Sequence, residues 1–206
     1  MAIKSTLVLI ATTLSLATAA NGQNLIKNGD FETPAVATAS YRTFANGGLL
    51  GGGWTIVGTD RNYPGPVAVV SGSFLKDGIT FNAQSGNQYF DFGVPATPQA
   101  SQSPQINGIE QFVATKSGSQ YTLSFWVGAA WDPADLGSLS RVDVFVNGQL
   151  ITAAAVSGTK GSIRQIWKQF SVTFVATSEK TEILFEAPTT AQTNNALDNV
   201  ELVLVP

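Results

Sequence analysis

No cysteine and no histidine occur in the 206 residues. Without cysteine there are no disulfides, so a folded chain must rely on its core, on bound ions, or on both. Without either residue, the Ser-His-Asp and Cys-His catalytic arrangements, histidine metal sites and the commonest general base are all excluded. Charge is also scarce: Asp, Glu, Lys and Arg make up 12% of the chain, so Gly, Ser, Thr, Asn and Gln supply most of its polarity. A polar but sparsely charged surface suits neutral ligands rich in hydroxyls. No basic stripe is present, which argues against nucleic acid as a partner. No glycine-rich phosphate loop is present either, because the Gly47–Gly53 cluster lacks the flanking strand, Lys and helix.

The N-terminus is organised differently from the rest. Met1 to Lys4 carries one positive charge, Ser5 to Leu16 is apolar and uncharged, and Ala17-Thr18-Ala19 supplies small residues. That three-part order reads as a secretory signal over residues 1–20, with an apolar part too short to span a bilayer. No later run approaches the ~20 apolar residues of a membrane helix. The expected product is one domain over residues 21–206, secreted or periplasmic and not inserted in a membrane. Without Lys4, eleven basic residues become ten against fourteen acidic, a net charge of −4. At that length one core suffices without staples.

Within the domain the hydrophobic period is 2. Tyr121–Val127, Val142–Val146 and Phe170–Phe174 alternate apolar with mostly polar residues, and β-branched and aromatic types dominate them. Asn147-Gly148 between two such runs predicts a two-residue hairpin turn. Asp77-Gly78, Ser117-Gly118 and Thr177–Lys180 mark further turns. The expected strands are 54–59, 67–70, 79–83, 87–92, 106–115, 120–128, 141–147, 149–156, 166–176, 180–187 and 196–204. So many short strands, with turns between, predict an all-β sandwich or barrel. Thr33–Gly53, rich in Gly and Ala, and Val94–Gln105, rich in Pro, Ser and Gln, read as surface loops.

Short signatures then line up in order: Asn24-Leu-Ile-Lys-Asn-Gly-Asp-Phe-Glu32, Gly53-Trp54, Tyr89-Phe-Asp-Phe-Gly93, Gly108-Ile-Glu-Gln111, Tyr121-Thr-Leu-Ser-Phe125 and Leu197-Asp-Asn-Val200. This succession resembles the galactose-binding-like jelly rolls that include many carbohydrate-binding modules. Within them it is most similar to uncharacterised exported domains of plant cell-wall and bacterial secreted proteins. It is half the length of the plant members and lacks their cysteines. The resemblance implies a two-sheet antiparallel β-sandwich of jelly-roll form, with the first and last strands neighbours.

It also implies a structural Ca²⁺ held by a carboxylate after the first strand and another on the last, where Glu32 and Asp198 stand. Carbonyls near Asn28 and Asp30 would complete a shell of six to eight oxygens. The alternative reading has the two carboxylates capping turns through backbone N–H groups. In either case carboxylates so close to apolar strand ends need partners.

The expected partner is a polysaccharide or other extracellular glycan, recognised by aromatic stacking and by amides or carboxylates on hydroxyls. Trp54 reads as core, its burial contributing on the order of 4–6 kcal/mol gross. Trp167, leading into Phe170, Val172 and Phe174, reads as structural. Trp126 has the opposite parity to Tyr121, Leu123, Phe125 and Val127, so it lies on an outer sheet face, either open as a groove floor or covered by a loop. Trp131 beside Asp132, and Tyr63 beside Arg61 and Asn62, lie in loops of the kind that carry binding residues.

An enzyme is not expected. A hydrolase or lyase would need a carboxylate pair such as Asp132 with Asp135, Glu110 or Asp91, and Asp91 reads as a solvated strand residue. An extracellular-matrix or adhesion protein that binds protein partners is the other alternative.

Overall fold

A computed structural model describes residues 22–58, 67–93, 105–131, 138–189 and 195–206. Among the described residues fourteen strands, numbered in chain order, form two large antiparallel sheets and one small hairpin. The first sheet runs β1 (Tyr41–Phe44), β4 (Val67–Ser71), β7 (Gln88–Asp91), β14 (Ala196–Leu204), β9 (Gln120–Ala129), β12 (Ile166–Val175). The second runs β11 (Gln149–Ser157), β10 (Leu139–Val146), β13 (Lys180–Thr189), β8 (Gln105–Ala114), β3 (Trp54–Gly58), β2 (Leu49–Leu50). The hairpin pairs β5 (Leu75–Lys76) with β6 (Ile79–Thr80).

Alternation sets which residues meet. Tyr121, Leu123, Phe125 and Val127 of β9 face Val142, Val144, Ile183 and Phe185 of the second sheet in one core. Aromatic rings interlock through it: Phe31 lies 5.4 Å from Phe90 and 5.8 Å from Trp54, and Phe125 lies 5.2 Å from Phe185. Trp54 is fully buried, and its indole N–H donates to the Asn28 carbonyl at 3.0 Å. Asn147 and Gly148 both adopt positive φ, 49° and 74°, so the β10–β11 turn forms as its sequence predicts.

The first and last segments are neighbours. Leu25 N–H donates to the Leu202 carbonyl at 2.8 Å, and Val200 N–H donates to the Gly29 carbonyl at 2.9 Å. Buried Gln111 of β8 ties the same segment to the second sheet, accepting from Lys27 N–H at 2.9 Å and donating to its carbonyl at 3.0 Å.

Two expectations need correction. Residues 33–53 are not only loop: Tyr41–Phe44 pairs with Val67–Val70, and Leu49–Leu50 pairs with Trp54–Thr55. Asp91 is not solvated. It is 6% exposed, because the chain between β4 and β7 returns over the outer face of the first sheet. Phe74 and Phe81 there join Ala68, Val70, Tyr89, Ala130 and Ala196 in a second, smaller core.

Candidate functional site

Glu32 and Asp198 converge on one turn. Asp198 Oδ2 accepts the N–H groups of Gln84 and Ser85 at 3.0 and 3.3 Å, and its Oδ1 accepts Asn199 N–H at 2.8 Å. Glu32 Oε1 accepts the N–H groups of Asn87 and Gln88 at 2.7 and 3.0 Å. Gly86, between the two grips, has φ +63°, and a Cβ there would stand 2.4 Å from Glu32 Oε1. Asn199, also at positive φ, bulges β14 and donates its amide to Gln84 Oε1 and to Ser85 Oγ.

Asp198 is wholly buried, and burial pushes its carboxyl up to about 7; the three N–H donors pull the other way and the Glu32 charge adds to the rise.

This arrangement is the turn-capping alternative, and it bears on the donor set for calcium. Asn28 does not fit: its carbonyl already accepts Trp54 Nε1 and Phe31 N–H, and its amide holds Thr33 and Gly51. Asp30 is exposed, meets Glu32 N–H at 3.4 Å, and lines a surface depression of about 290 Å³ with Asn24, Gly29, Asn199 and Glu201. The two carboxylates do fit part of a shell. Among the described residues Glu32 Oε2 meets only Asn87 Nδ2 at 3.4 Å, and Asp198 Oδ1 accepts one N–H, so each keeps a lone pair toward them. Among the described residues neither carboxylate has a Lys or Arg ion pair.

Asp198 also pairs across the sheet with Trp126, so their side chains share the outer face of the first sheet. Trp126 is half-buried there, and its other cross-strand partner is exposed Gln169. One step along, Gly128 pairs with Trp167, whose half-buried indole lies over the glycine: a Cβ at 128 would stand 2.9 Å from three of its ring carbons. Trp167 Nε1 donates to the Asn82 carbonyl at 2.9 Å, and Tyr89 meets the ring edge-on at 5.6 Å.

Trp167 is therefore structural, as its sequence context implies, but it does not face the core with Phe170. The two tryptophans are diagonal neighbours on one face, a relation that separates residues by about 7–8 Å. The missed signal is parity, since Trp167 is odd where Phe170, Val172 and Phe174 are even.

The loop candidates fare differently. Trp131, two residues past the end of β9, is half-buried, its backbone packed against Gly158 after β11. Asp132, Asp135, Tyr63, Arg61 and Asn62 lie outside the described residues. Asp91 accepts Gly93 N–H at 2.8 Å, and burial pushes its carboxyl up to about 7 against that donor.

Comparison with known proteins places this geometry in context. A family model described as "Protein of unknown function (DUF642)" matches residues 24–202. No curated protein matches the chain. Among solved structures, the carbohydrate-binding module TmCBM61, determined with β-1,4-galactotriose, is 18% identical with a TM-score of 0.54, over 89% of this chain and 99% of that one. A cyclase from Fischerella sp. TAU is 21% identical with a TM-score of 0.58, over 88% and 96%. The CBM22-1 xylan-binding domain of Paenibacillus barcinonensis Xyn10C is 16% identical with a TM-score of 0.43, over 82% and 98%. The fold is the β-sandwich jelly roll of carbohydrate-binding modules.

Proposed function

The chain belongs to the DUF642 family of proteins of unknown function, and from that premise we propose that this member is an exported, non-catalytic glycan-binding domain. One observation carries the reading: Trp126 and Trp167 sit as half-buried diagonal neighbours on one outer sheet face. Indole faces stack on the C–H-rich faces of sugar rings. Gln169 on one side, and Gln84 with Asn199 on the other, supply amides suited to hydroxyls. A fold alone hosts many functions, so it is this face, not the sandwich, that points to a sugar. The galactotriose bound by TmCBM61 supports a neutral sugar as the first ligand to try.

The non-catalytic part is supported by chemistry. The chain has no histidine or cysteine, and Asp91 is sealed beneath the second core. Export is supported by the tripartite N-terminus. No helix among the described residues is long and apolar enough to cross a membrane. A structural calcium at Glu32 and Asp198 belongs to the same proposal. It would neutralise two carboxylates that meet at one turn and hold the first and last segments together.

The test is depletion of the chain from residue 21 onward by a panel of soluble and insoluble polysaccharides, with sugar release followed in parallel. Selective depletion without release is the expected outcome. Release of reducing sugar would replace binding with hydrolysis, and no depletion by any glycan would favour a matrix protein that binds other proteins.

A further inference from the structure

The outer face of the second sheet carries residues that a solvated sheet face does not need. Register places Leu150, Phe145, Leu184, Glu110, Thr55 and Leu49 in one row across β11, β10, β13, β8, β3 and β2. In that row Leu49 and Leu150 are 77% and 50% exposed. Phe112, on the same face of β8 as Glu110, is 51% exposed. The first sheet covers part of its outer face with Phe74, Phe81 and the β5–β6 hairpin. Among the described residues nothing comparable lies over the second. Contiguous apolar exposure of this kind marks interaction surfaces.

Charge on this face is mostly negative. Asp143 pairs across the strands with Glu186, and Glu182 pairs with Phe112, next to Glu110. These carboxylates crowd one another. Burial, then the neighbouring Glu182, raises the Glu110 carboxyl above its ordinary range, and burial followed by Asp143 and Glu182 does the same for Glu186. Among the described residues two cations stand on the face, each engaged: Arg141 on Asp143 at 3.0 Å, and Lys180 over the Phe112 ring at 4.3 Å. A second copy of the chain would bring the same negative field against it, so self-association through this face is disfavoured. An anionic glycan is disfavoured for the same reason.

We propose that the outer face of the second sheet docks a cationic, partly apolar polypeptide segment, with Lys or Arg meeting Glu110, Glu182 and Glu186 and apolar side chains covering Phe112 and Leu184. An extended segment whose every second residue alternates cationic and apolar matches Glu182, Leu184 and Glu186 along β13 and Glu110 and Phe112 along β8. Opposite charge steers the encounter and fixes register, while the apolar contacts supply the burial. This surface is separate from the Trp126–Trp167 face, which belongs to the other sheet.

The experiment uses a fluorescein-labelled peptide in which pairs of lysines alternate with pairs of leucines or valines, so that either face of the extended chain alternates cationic and apolar, with its glutamate counterpart as control, and fluorescence anisotropy at low and physiological salt. The lysine peptide is expected to bind, at least about tenfold tighter than the glutamate peptide, and to weaken as salt rises. The Glu110→Gln/Glu186→Gln pair is expected to lose about tenfold in affinity while melting no lower than the parent, since it removes repulsion. Phe112→Ser is expected to weaken binding several-fold with the salt dependence unchanged.

Equal binding of the two peptides, or unchanged affinity in the glutamine pair, overturns the proposal. So does loss of neutral-glycan depletion in Phe112→Ser with Trp126→Ala unaffected, which would make this the sugar face instead.

Discussion

Glu32 and Asp198 hold the two ends of one turn, Glu32 at Asn87 and Gln88 and Asp198 at Gln84 and Ser85. One residue follows the first apolar segment and the other lies on the last strand. The turn is the point where the two ends of the domain are locked together. Gly86 makes both grips sterically compatible, because a side chain at its position would drive into the Glu32 carboxylate.

Gly86→Ala should therefore cost more than strain alone. Gly118 has a similar φ of +79° with no atom within 4 Å of an added Cβ, so Gly118→Ala isolates the backbone penalty of about 1 kcal/mol. Gly86→Ala is expected to lose about 2–3 kcal/mol, since it also displaces the Glu32 hydrogen bonds. Urea unfolding of the two variants side by side measures the difference. Equal losses would mean that the Glu32 grip contributes nothing.

Calcium at this turn predicts a melting temperature that depends on the ion. At a concentration one hundred times its dissociation constant, the ion would add about 2.7 kcal/mol, a rise of several degrees for a domain of this size. Asp198→Asn should abolish the rise, because Asp198 supplies one of the two carboxylates. Identical melting in millimolar calcium and in chelator would leave the carboxylates as turn caps and nothing more.

Asp91 predicts how stability follows pH. Its carboxyl titrates near 7 in the folded chain against an unfolded value of 3.8, so the folded state holds a proton that the unfolded state has released. The contribution of this group is greatest below about pH 4 and falls as pH rises toward 7, by a total on the order of a few kcal/mol. Asp91→Asn keeps the shape and removes the titration. Unfolding free energies at pH 5 and 8 should therefore differ less in Asp91→Asn than in the parent, and an unchanged difference would assign the dependence to other groups.

The legible parts of this chain are those set by neighbours in sequence. The Asn147-Gly148 turn forms because two adjacent residues tolerate positive φ, and the outward side of Trp126 follows from its parity against Phe125 and Val127. Long-range cover is what local reading misses. Asp91 reads as solvated because Phe74 and Phe81, which help to cover its sheet face, come from a separate segment of the chain. Tyr41–Phe44 is short and set among Gly and Ala, and becomes a strand through its pairing with β4. The carboxylates of Glu32 and Asp198 are legible as a pair. The turn they share is not, since nothing in Gln84–Gln88 announces partners so far away. The parity rule that turns Trp126 outward turns Trp167 outward as well.

The two tryptophans should separate by mutation. Trp126 has no aromatic partner among the described contacts, whereas Trp167 packs on Gly128, meets Tyr89 and donates to Asn82. Trp126→Ala is expected to weaken binding of a neutral glycan at least about tenfold, about 1.4 kcal/mol, with little change in melting temperature. Trp167→Ala is expected to weaken binding comparably and also to lower stability by about 2–3 kcal/mol, somewhat below the loss of a fully buried tryptophan. Trp167→Phe keeps an aromatic face and drops the Asn82 hydrogen bond, so it should recover most of the binding but only part of the stability. Depletion isotherms on the best-binding polysaccharide, with urea unfolding of each variant, measure both effects. If Trp126→Ala and Trp167→Ala both bind like the parent, stacking on this face is not how the domain holds a glycan, and Trp131, just past β9, becomes the next aromatic to mutate.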